Sequence, residues 1–144
     1  MPRILAVDWG VRRIGLAISD PSGIIATGLD TLEVRSVPDA LTRVADVARR
    51  EEATAIVVGL PLLMSGQRGE AADQAQSFAD QLAQRIDLPV HTYDERLTSA
   101  LSARRLREAG VRTGHARKRV DQGAAVALLE SYLSRLAAQR PADP

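Results

Sequence analysis

The stretch from Ile4 to Asp20 constrains this chain more than any other, because it predicts a buried strand that ends on a carboxylate. Residues 4–8 read Ile-Leu-Ala-Val-Asp, and four consecutive apolar residues are typical of a strand that is buried on both faces. Gly10 allows a tight turn, after which residues 13–19 predict a second strand that returns beside the first as a hairpin.

Asp8, at the end of this strand, has two interpretations. An ionised carboxylate at the end of a buried strand is costly unless a partner compensates its charge. A divalent metal ion is a suitable partner, because hard cations bind carboxylate oxygens. Alternatively, Asp8 only caps the turn, as aspartate often does. The spacing of the residues does not separate these interpretations.

The length and composition of the chain predict one soluble globular domain. The chain has 144 residues, of which 45% are hydrophobic, and we expect the domain to span residues 1–138 and to be followed by a disordered tail over 139–144. There is no cysteine, which excludes disulfides and thiolate metal sites. Because no apolar run approaches membrane-spanning length and no basic-then-apolar leader opens the chain, we expect a cytoplasmic protein without membrane partners.

The charge is unevenly distributed. Residues 30–95 hold twelve acidic residues against six arginines, a net charge of −6, whereas residues 96–119 hold seven arginines and one lysine against Glu108, a net charge of +7. A basic block of this kind suits a polyanion such as nucleic acid. The alternative is an ordinary solvated charge run in an arginine-rich chain.

Hydrophobic periodicity and turn residues divide the remainder into strands and helices. The predicted elements are a third strand over 24–33, a helix from the N-cap Ser36 to about Glu52, a strand over 55–60, a helix whose apolar face runs from Ala75 to Ile86, a strand over 89–93, a helix from Thr98 to Gly110, a basic loop over 111–119 and a last helix from Asp121. This order predicts an α/β fold. Its mixed five-stranded sheet combines a three-stranded antiparallel meander with two parallel strands and is flanked by helices.

Three acidic positions follow the ends of predicted elements. Asp8 ends the first strand, Asp94 and Glu95 follow the fifth, and Asp121 opens the last helix. Ligands of such sheets bind beyond the carboxyl ends of the strands. Because crowded carboxylates repel one another, a cluster of Asp8, Glu95 and Asp121 makes sense mainly with Mg²⁺ or Mn²⁺ bound. Two such ions about 3.5–4 Å apart are the arrangement that hydrolyses phosphodiesters.

Each acid also has a purely structural interpretation. Asp94 could cap a strand end, Glu95 could pair with Arg96 or Arg104, and Asp121 could be a plain helix N-cap. The joint placement of the acids favours the metal site over these separate explanations.

Five motifs, in order along nearly the whole chain, resemble the YqgF/RuvX family. They are Val-Asp-Trp-Gly-Val-Arg-Arg-Ile-Gly-Leu-Ala-Ile-Ser-Asp (7–20), Val-Val-Gly-Leu-Pro-Leu (57–62), Phe-Ala (78–79), Asp-Glu-Arg-Leu-Thr-Ser (94–99) and Val-Asp-Gln-Gly-Ala-Ala (120–125). The resemblance implies a small bacterial nuclease with an RNase H-like fold. It also implies maturation of the 5′ end of the small-subunit (16S) ribosomal RNA precursor, or cleavage of Holliday junctions, since the junction resolvase RuvC shares the fold.

By this resemblance, Asp8, Glu95 and Asp121 match the family's catalytic acids, and Arg13 and Arg96 match its motif arginines. One departure lies in the loop after Pro61, which usually reads Leu-Asn-Met-Asp-Gly in the family and here reads Leu-Leu-Met-Ser-Gly (62–66). The family's amide and carboxylate are replaced by Leu63 and Ser65, so no polar role of the family's kind is expected at these two positions.

Basic and aromatic side chains supply the candidate nucleic-acid contacts. Arg96 could grip the scissile phosphate with a bidentate fork, or it could only orient a neighbouring acid. Arg12 and Arg13 flank the first turn, and His115 is a weak candidate for a general acid or base. Trp9 could stack on a base or pack in the core. The candidate phosphate-tracking loop comprises Arg112, His115, Arg117, Lys118 and Arg119.

Three functions compete at this point. The first is a metal-dependent endonuclease acting on structured RNA or on four-way DNA junctions. The second is a non-catalytic nucleic-acid-binding module. The third is an actin-like ATPase, since Asp-x-Gly-x-x-Arg beside a hairpin resembles the phosphate loop of that superfamily; the single-lobe length and the lack of a Walker-type Gly-x-x-x-x-Gly-Lys argue against it. A junction resolvase should also be a symmetric homodimer, because it nicks two related strands.

Overall fold

A computed structural model describes residues 2–98 and 114–139, with the backbone alone over 114–122. Its elements are β1 (Ile4–Asp8), β2 (Arg13–Ser19), β3 (Ala26–Glu33), α1 (Val37–Arg50), β4 (Ala55–Leu60), α2 (Glu70–Arg85), β5 (Val90–Asp94), a 3₁₀ turn (Glu95–Leu97) and α3 (Gly114–Gln139). The predicted helix over 98–110 lies outside the described residues apart from its first position. Arg112 and the tail beyond Gln139 lie outside them as well.

The five strands form one mixed sheet in the order β3-β2-β1-β4-β5. The pairs β1–β2 and β2–β3 are antiparallel, whereas β1–β4 and β4–β5 are parallel. This confirms the predicted meander followed by two parallel strands. The carboxyl ends of β1, β4 and β5 therefore lie at one edge of the sheet.

Both faces of the sheet are covered by helices, which explains why β1 is buried along its whole length. The alternation of side chains along a strand separates two cores. Leu5 and Val7 belong to the core that β1, β2 and β4 form with α1 and α2. Ile4 and Ala6 belong to a smaller core on the opposite face, with Ala124, Ala125, Leu128, Leu129 and Leu133 of α3.

The start of α1 follows from local sequence alone. Ser36 has extended backbone angles, and its Oγ accepts a hydrogen bond of 3.2 Å from the backbone N–H of Asp39. A side-chain acceptor of this kind satisfies one of the free donors in the first helical turn. The predicted N-cap at Ser36 is therefore confirmed.

The prediction that α3 begins at Asp121 after a basic loop is wrong. The helix begins at Gly114, so most of the predicted loop is helical and Asp121 lies within the helix rather than at its N-cap. The physical reason is helix propensity. Ala116 and the three basic residues after it are good helix formers, and nothing between Gly114 and Asp121 breaks a helix.

Trp9 takes the packing role rather than the base-stacking one. The residue is only 5% exposed, and its ring stacks on Phe78 of α2, with ring centroids 4.5 Å apart and planes 21° apart. An aromatic pair in this geometry adds packing energy beyond the area that it buries. Trp9 thus packs the chain just after β1 against α2.

Over the described residues, no helix is both long and apolar enough to cross a membrane.

Candidate active site

Asp8 is a fully buried carboxylate at the carboxyl end of β1. Its exposed fraction is 0%. Ile4 and Ala6 point into the core under α3, and because side chains two apart share a face, Asp8 points to the same face. The strand therefore directs this acid towards α3 at the edge where ligands of such sheets bind.

Glu95 is the second fully buried acid, and it is held against β4. It opens the 3₁₀ turn directly after β5 and is 0% exposed. Its side chain lies on Gly59, where an added Cβ would be 2.3 Å from Oε1 of Glu95. Only glycine leaves room for a carboxylate this close to the backbone.

The strand register brings Asp8 and Glu95 to the same place in the fold. In the parallel pair of β1 and β4, Val7 lies opposite Val58, so Asp8 and Gly59 follow as the next neighbours. Gly59 is two residues from Val57, which faces α3. Because Oε1 of Glu95 lies where a Gly59 side chain would be, both carboxylates lie at the same edge and on the same face.

Asp121 lies on α3, the helix that covers this face. It precedes Ala125 by four residues and Leu128 by seven, and both of those are buried against the sheet. Residues at this spacing share one side of a helix. The side chain of Asp121 is outside the described residues, and among the side chains that are described no group of three potential metal ligands occurs. The three-acid cluster stays a prediction.

Arg96 pairs with Asp94 rather than with Glu95. Its Nε donates to both carboxylate oxygens of Asp94, at 3.1 and 3.0 Å, and its Nη2 donates to Oδ2 at 2.7 Å. These bonds from the Arg96 guanidinium hold the pKa of Asp94 below its usual range and raise the pKa of Arg96. The remaining nitrogen, Nη1, donates to the carbonyl of Met64 at 3.4 Å. Arg96 thus links β5 to the loop after β4.

Arg13 opens β2 beside the two buried acids. Gly15 lies opposite Asp8 in the β1–β2 pair, and Arg13 shares the face of Gly15 because it is two residues away. Its guanidinium lies 3.6 Å from Glu33 of β3, and the Arg13 side chain is 27% exposed. Arg13 is therefore partly accessible on the face that carries the acids.

Residues 114–119 of the predicted basic loop belong to α3. The backbones of His115, Arg117, Lys118 and Arg119 lie in the first two turns of α3, and their side chains are outside the described residues. Arg112 is outside them altogether.

The residue that sequence reasoning missed is Gly59. An isolated glycine inside a buried strand often marks a close approach of another group. That signal was present in Val-Val-Gly-Leu-Pro, but it does not name the partner. The partner is Glu95, 36 positions further along the chain.

The family model and the relatives found by comparison with known proteins agree on one family. The model of the RuvX family, described as Holliday junction resolvase, matches residues 2–135. A relative from Rhodococcus jostii is 44% identical over 136 residues, which cover 91% of this chain and 76% of the relative. One from Moorella thermoacetica is 40% identical over 134 residues, which cover 93% and 96%. Both carry the name "Putative pre-16S rRNA nuclease".

Solved structures of low sequence identity share the fold. Thermus thermophilus RuvC in complex with a Holliday junction substrate is similar with a TM-score of 0.56 and 19% identity, over 94% of this chain and 96% of that chain. The fowlpox virus Holliday junction resolvase has a TM-score of 0.54 and 14% identity, over 92% and 99%. These neighbours confirm the RNase H-like fold that the motifs implied.

Proposed function

Because this chain belongs to the RuvX family and is a nuclease, we propose that Asp8, Glu95 and Asp121 form its catalytic centre and that the centre requires Mg²⁺ or Mn²⁺. The observation that carries the proposal is the pair of fully buried carboxylates at one edge and on one face of the sheet. Carboxylate oxygens that lie at one edge and on one face of the sheet are suitable ligands for a divalent cation.

The donor set fits a hard divalent ion. Asp8 and Glu95 supply carboxylate oxygens, which Mg²⁺ and Mn²⁺ prefer over nitrogen or sulfur, and the chain has no cysteine to favour a softer metal. When bound, such an ion supplies Lewis-acid chemistry to a phosphodiester. Asp121 is the proposed third ligand, because it precedes the buried Ala125 by four residues and Leu128 by seven, a spacing that favours one side of a helix.

The protein's own contribution is preorganisation. Asp8 is held by a strand with neighbours on both sides, and Glu95 is held by the contact with Gly59. Rigid placement of charged groups lowers a barrier because no reorganisation is needed when the reaction occurs. The residues proposed to contact the phosphates of the nucleic acid are Arg13, Arg96, Arg112, Arg117, Lys118 and Arg119.

We propose the precursor of 16S ribosomal RNA as the substrate, cleaved at its 5′ end. The support is the shared name of relatives that are 40–44% identical over most of this chain. This activity agrees with the cytoplasmic location expected from the sequence. A four-way DNA junction is the second candidate, supported by the description of the family model.

The deciding experiment compares the two substrates side by side. Purified protein is incubated with Mn²⁺ and labelled precursor RNA or labelled four-way junction DNA, and its oligomeric state is measured in the same buffer. The matched variants are Asp8→Asn and Asp80→Asn, since Asp80 is an exposed acid on α2. We expect cleavage of the precursor RNA by the wild type and by Asp80→Asn, and none by Asp8→Asn.

The other outcomes separate the alternatives. Binding of either nucleic acid without cleavage would contradict the catalytic centre and favour a non-catalytic binding module. ATP hydrolysis without cleavage would favour the actin-like ATPase. Preferential cutting of the junction by a symmetric dimer would replace the RNA substrate with the DNA one.

A further inference from the structure

A cavity lies on the other side of the sheet from the two buried acids, at the same end of β1. Its volume is about 650 Å³, which is within the range of roughly 300–1,000 Å³ typical of small-molecule sites. Trp9 and Phe78 line its inner part, and Val11 and Val37 line it further out. Val11 is 63% exposed and Val37 is 37% exposed, so apolar surface continues from the core to the mouth.

The rim of the cavity is polar and comes mostly from α2. Asp73, Gln74, Ser77 and Gln81 line it, and the Nε2 of Gln81 donates to the Oγ of Ser77 at 3.1 Å. An aromatic and aliphatic interior beneath carboxylate, amide and hydroxyl groups suits a flat heterocycle with hydrogen-bonding edges. Nucleobases have this chemistry.

The position of the cavity relative to Asp8 connects it with the nucleic acid. Trp9 directly follows Asp8 in the chain. Trp9 belongs to the core under α1 and α2, whereas Asp8 points to the face of α3. A strand of nucleic acid that crosses this edge, with one phosphate at the acids, would pass the mouth of the cavity.

The charges at the rim favour a base over a phosphate. Glu70 and Asp73 are anionic and would repel a phosphate, whereas Arg68 is the one cation among the described residues that line the cavity. We propose that this cavity binds an unpaired nucleobase of the substrate strand next to the scissile phosphate. The proposal rests on the proposed nuclease centre and adds a preference for substrates with an unpaired nucleotide at the cut.

The test uses the single tryptophan of the chain as a reporter. In an Asp8→Asn background with Mg²⁺, two RNAs are titrated: a duplex with one unpaired nucleotide and the fully paired duplex of the same length. Ser77→Leu fills the mouth of the cavity. Gln84→Leu is the matched control, because Gln84 is exposed on the same helix and does not line the cavity.

We expect the unpaired RNA to change the fluorescence of Trp9. Ser77→Leu should weaken the binding of this RNA about tenfold, because the larger side chain would occupy space that the base needs. Gln84→Leu should bind like the parent, and the paired duplex should bind all three proteins equally. Equal binding of the unpaired RNA by the Ser77→Leu and Gln84→Leu proteins would overturn the proposal. So would a Trp9 response to free nucleoside monophosphate that equals the response to RNA.

The failure of this proposal can be told apart from failure of the nuclease centre. If the wild type cleaves RNA but shows no preference for the unpaired nucleotide, the cavity assignment alone is wrong. If the protein neither binds nor cleaves any nucleic acid, both are wrong.

Discussion

The Oε1 atom of Glu95 lies so close to the backbone of Gly59 that a methyl group on this glycine would be 2.3 Å away from it. Real side chains essentially never approach a Cβ at this distance, so the carboxylate occupies the volume that any other residue at position 59 would need. Gly59 in turn neighbours Asp8 through the register of β4 with β1. The missing side chain of Gly59 therefore allows Glu95, in the turn after β5, to lie against β4, the strand that pairs with the one that carries Asp8.

Gly59→Ala should displace the carboxylate of Glu95 and reduce nuclease activity while the protein stays folded. A displacement of about 1 Å in a catalytic group can cost about 100-fold in rate, so we expect a loss of tenfold to 100-fold in kcat. The measurement is single-turnover cleavage of the precursor RNA, with circular dichroism as the check on folding. Full activity in a folded Gly59→Ala protein would contradict the proposed role of Glu95.

Gly123→Ala is the matched glycine substitution and should stabilise the protein. Gly123 lies within α3, and a Cβ there would meet nothing within 4 Å. Glycine inside a helix costs roughly 0.5–1 kcal/mol relative to alanine, so the free energy of unfolding should rise by about that amount. Urea denaturation measures it. A decrease in stability would contradict the open space that surrounds Gly123.

Asp94→Asn should lower stability at neutral pH and have little effect in acid. The guanidinium of Arg96 donates to Asp94 and holds the pKa of that carboxyl group below its ordinary value. A carboxyl group whose pKa is lower in the folded state stabilises the protein above its unfolded pKa, and that stability is lost as the pH falls through the folded pKa. At pH 7 we expect a loss of up to about 1 kcal/mol, because the pair is partly exposed.

The measurement for Asp94→Asn is urea denaturation of both proteins at several values between pH 7 and pH 3. The difference between the two stabilities should shrink as the pH falls towards 3, and Asp80→Asn serves as the control on an exposed acid. A difference in stability that does not change with pH would mean that Asp94 acts through packing rather than through its charge.

Mn²⁺ should raise the melting temperature of the wild type more than that of Asp8→Asn. An ion that binds the folded state alone stabilises it, by about 2.7 kcal/mol at a concentration 100 times its Kd. Thermal denaturation with and without Mn²⁺ measures the effect without any substrate. An identical rise in both proteins would place the ion elsewhere on the molecule.

Several features were predictable from sequence because they depend on neighbouring residues. Four apolar residues in a row predicted a strand buried on both faces, and β1 is such a strand. Ser36 predicted its own helix start, since an N-cap needs only the next three residues. The parallel pairing of β4 with β1 followed from the helix between them.

Other features could not be predicted from the sequence or were predicted wrongly. Asp121 has the side chain of an N-cap, yet the helix begins seven residues earlier, because the residues before it are also good helix formers. In the sequence, Arg96 could pair with Asp94 or with Glu95. It pairs with Asp94 because of the geometry of the turn after β5. The sequence did not decide whether Trp9 stacks on a base or packs in the core, because its packing depends on the position of Phe78 in α2.

By itself, the sequence determined the order of the elements, the burial of the first strand and the presence of acids at the ends of strands. These depend on local periodicity and on residue chemistry. Only the tertiary structure decided that Glu95 rests on Gly59, that its carboxylate lies beside the strand of Asp8, and that a cavity opens next to Trp9. The reason is that these contacts join residues far apart in the chain, and their geometry is set by strand register and helix packing.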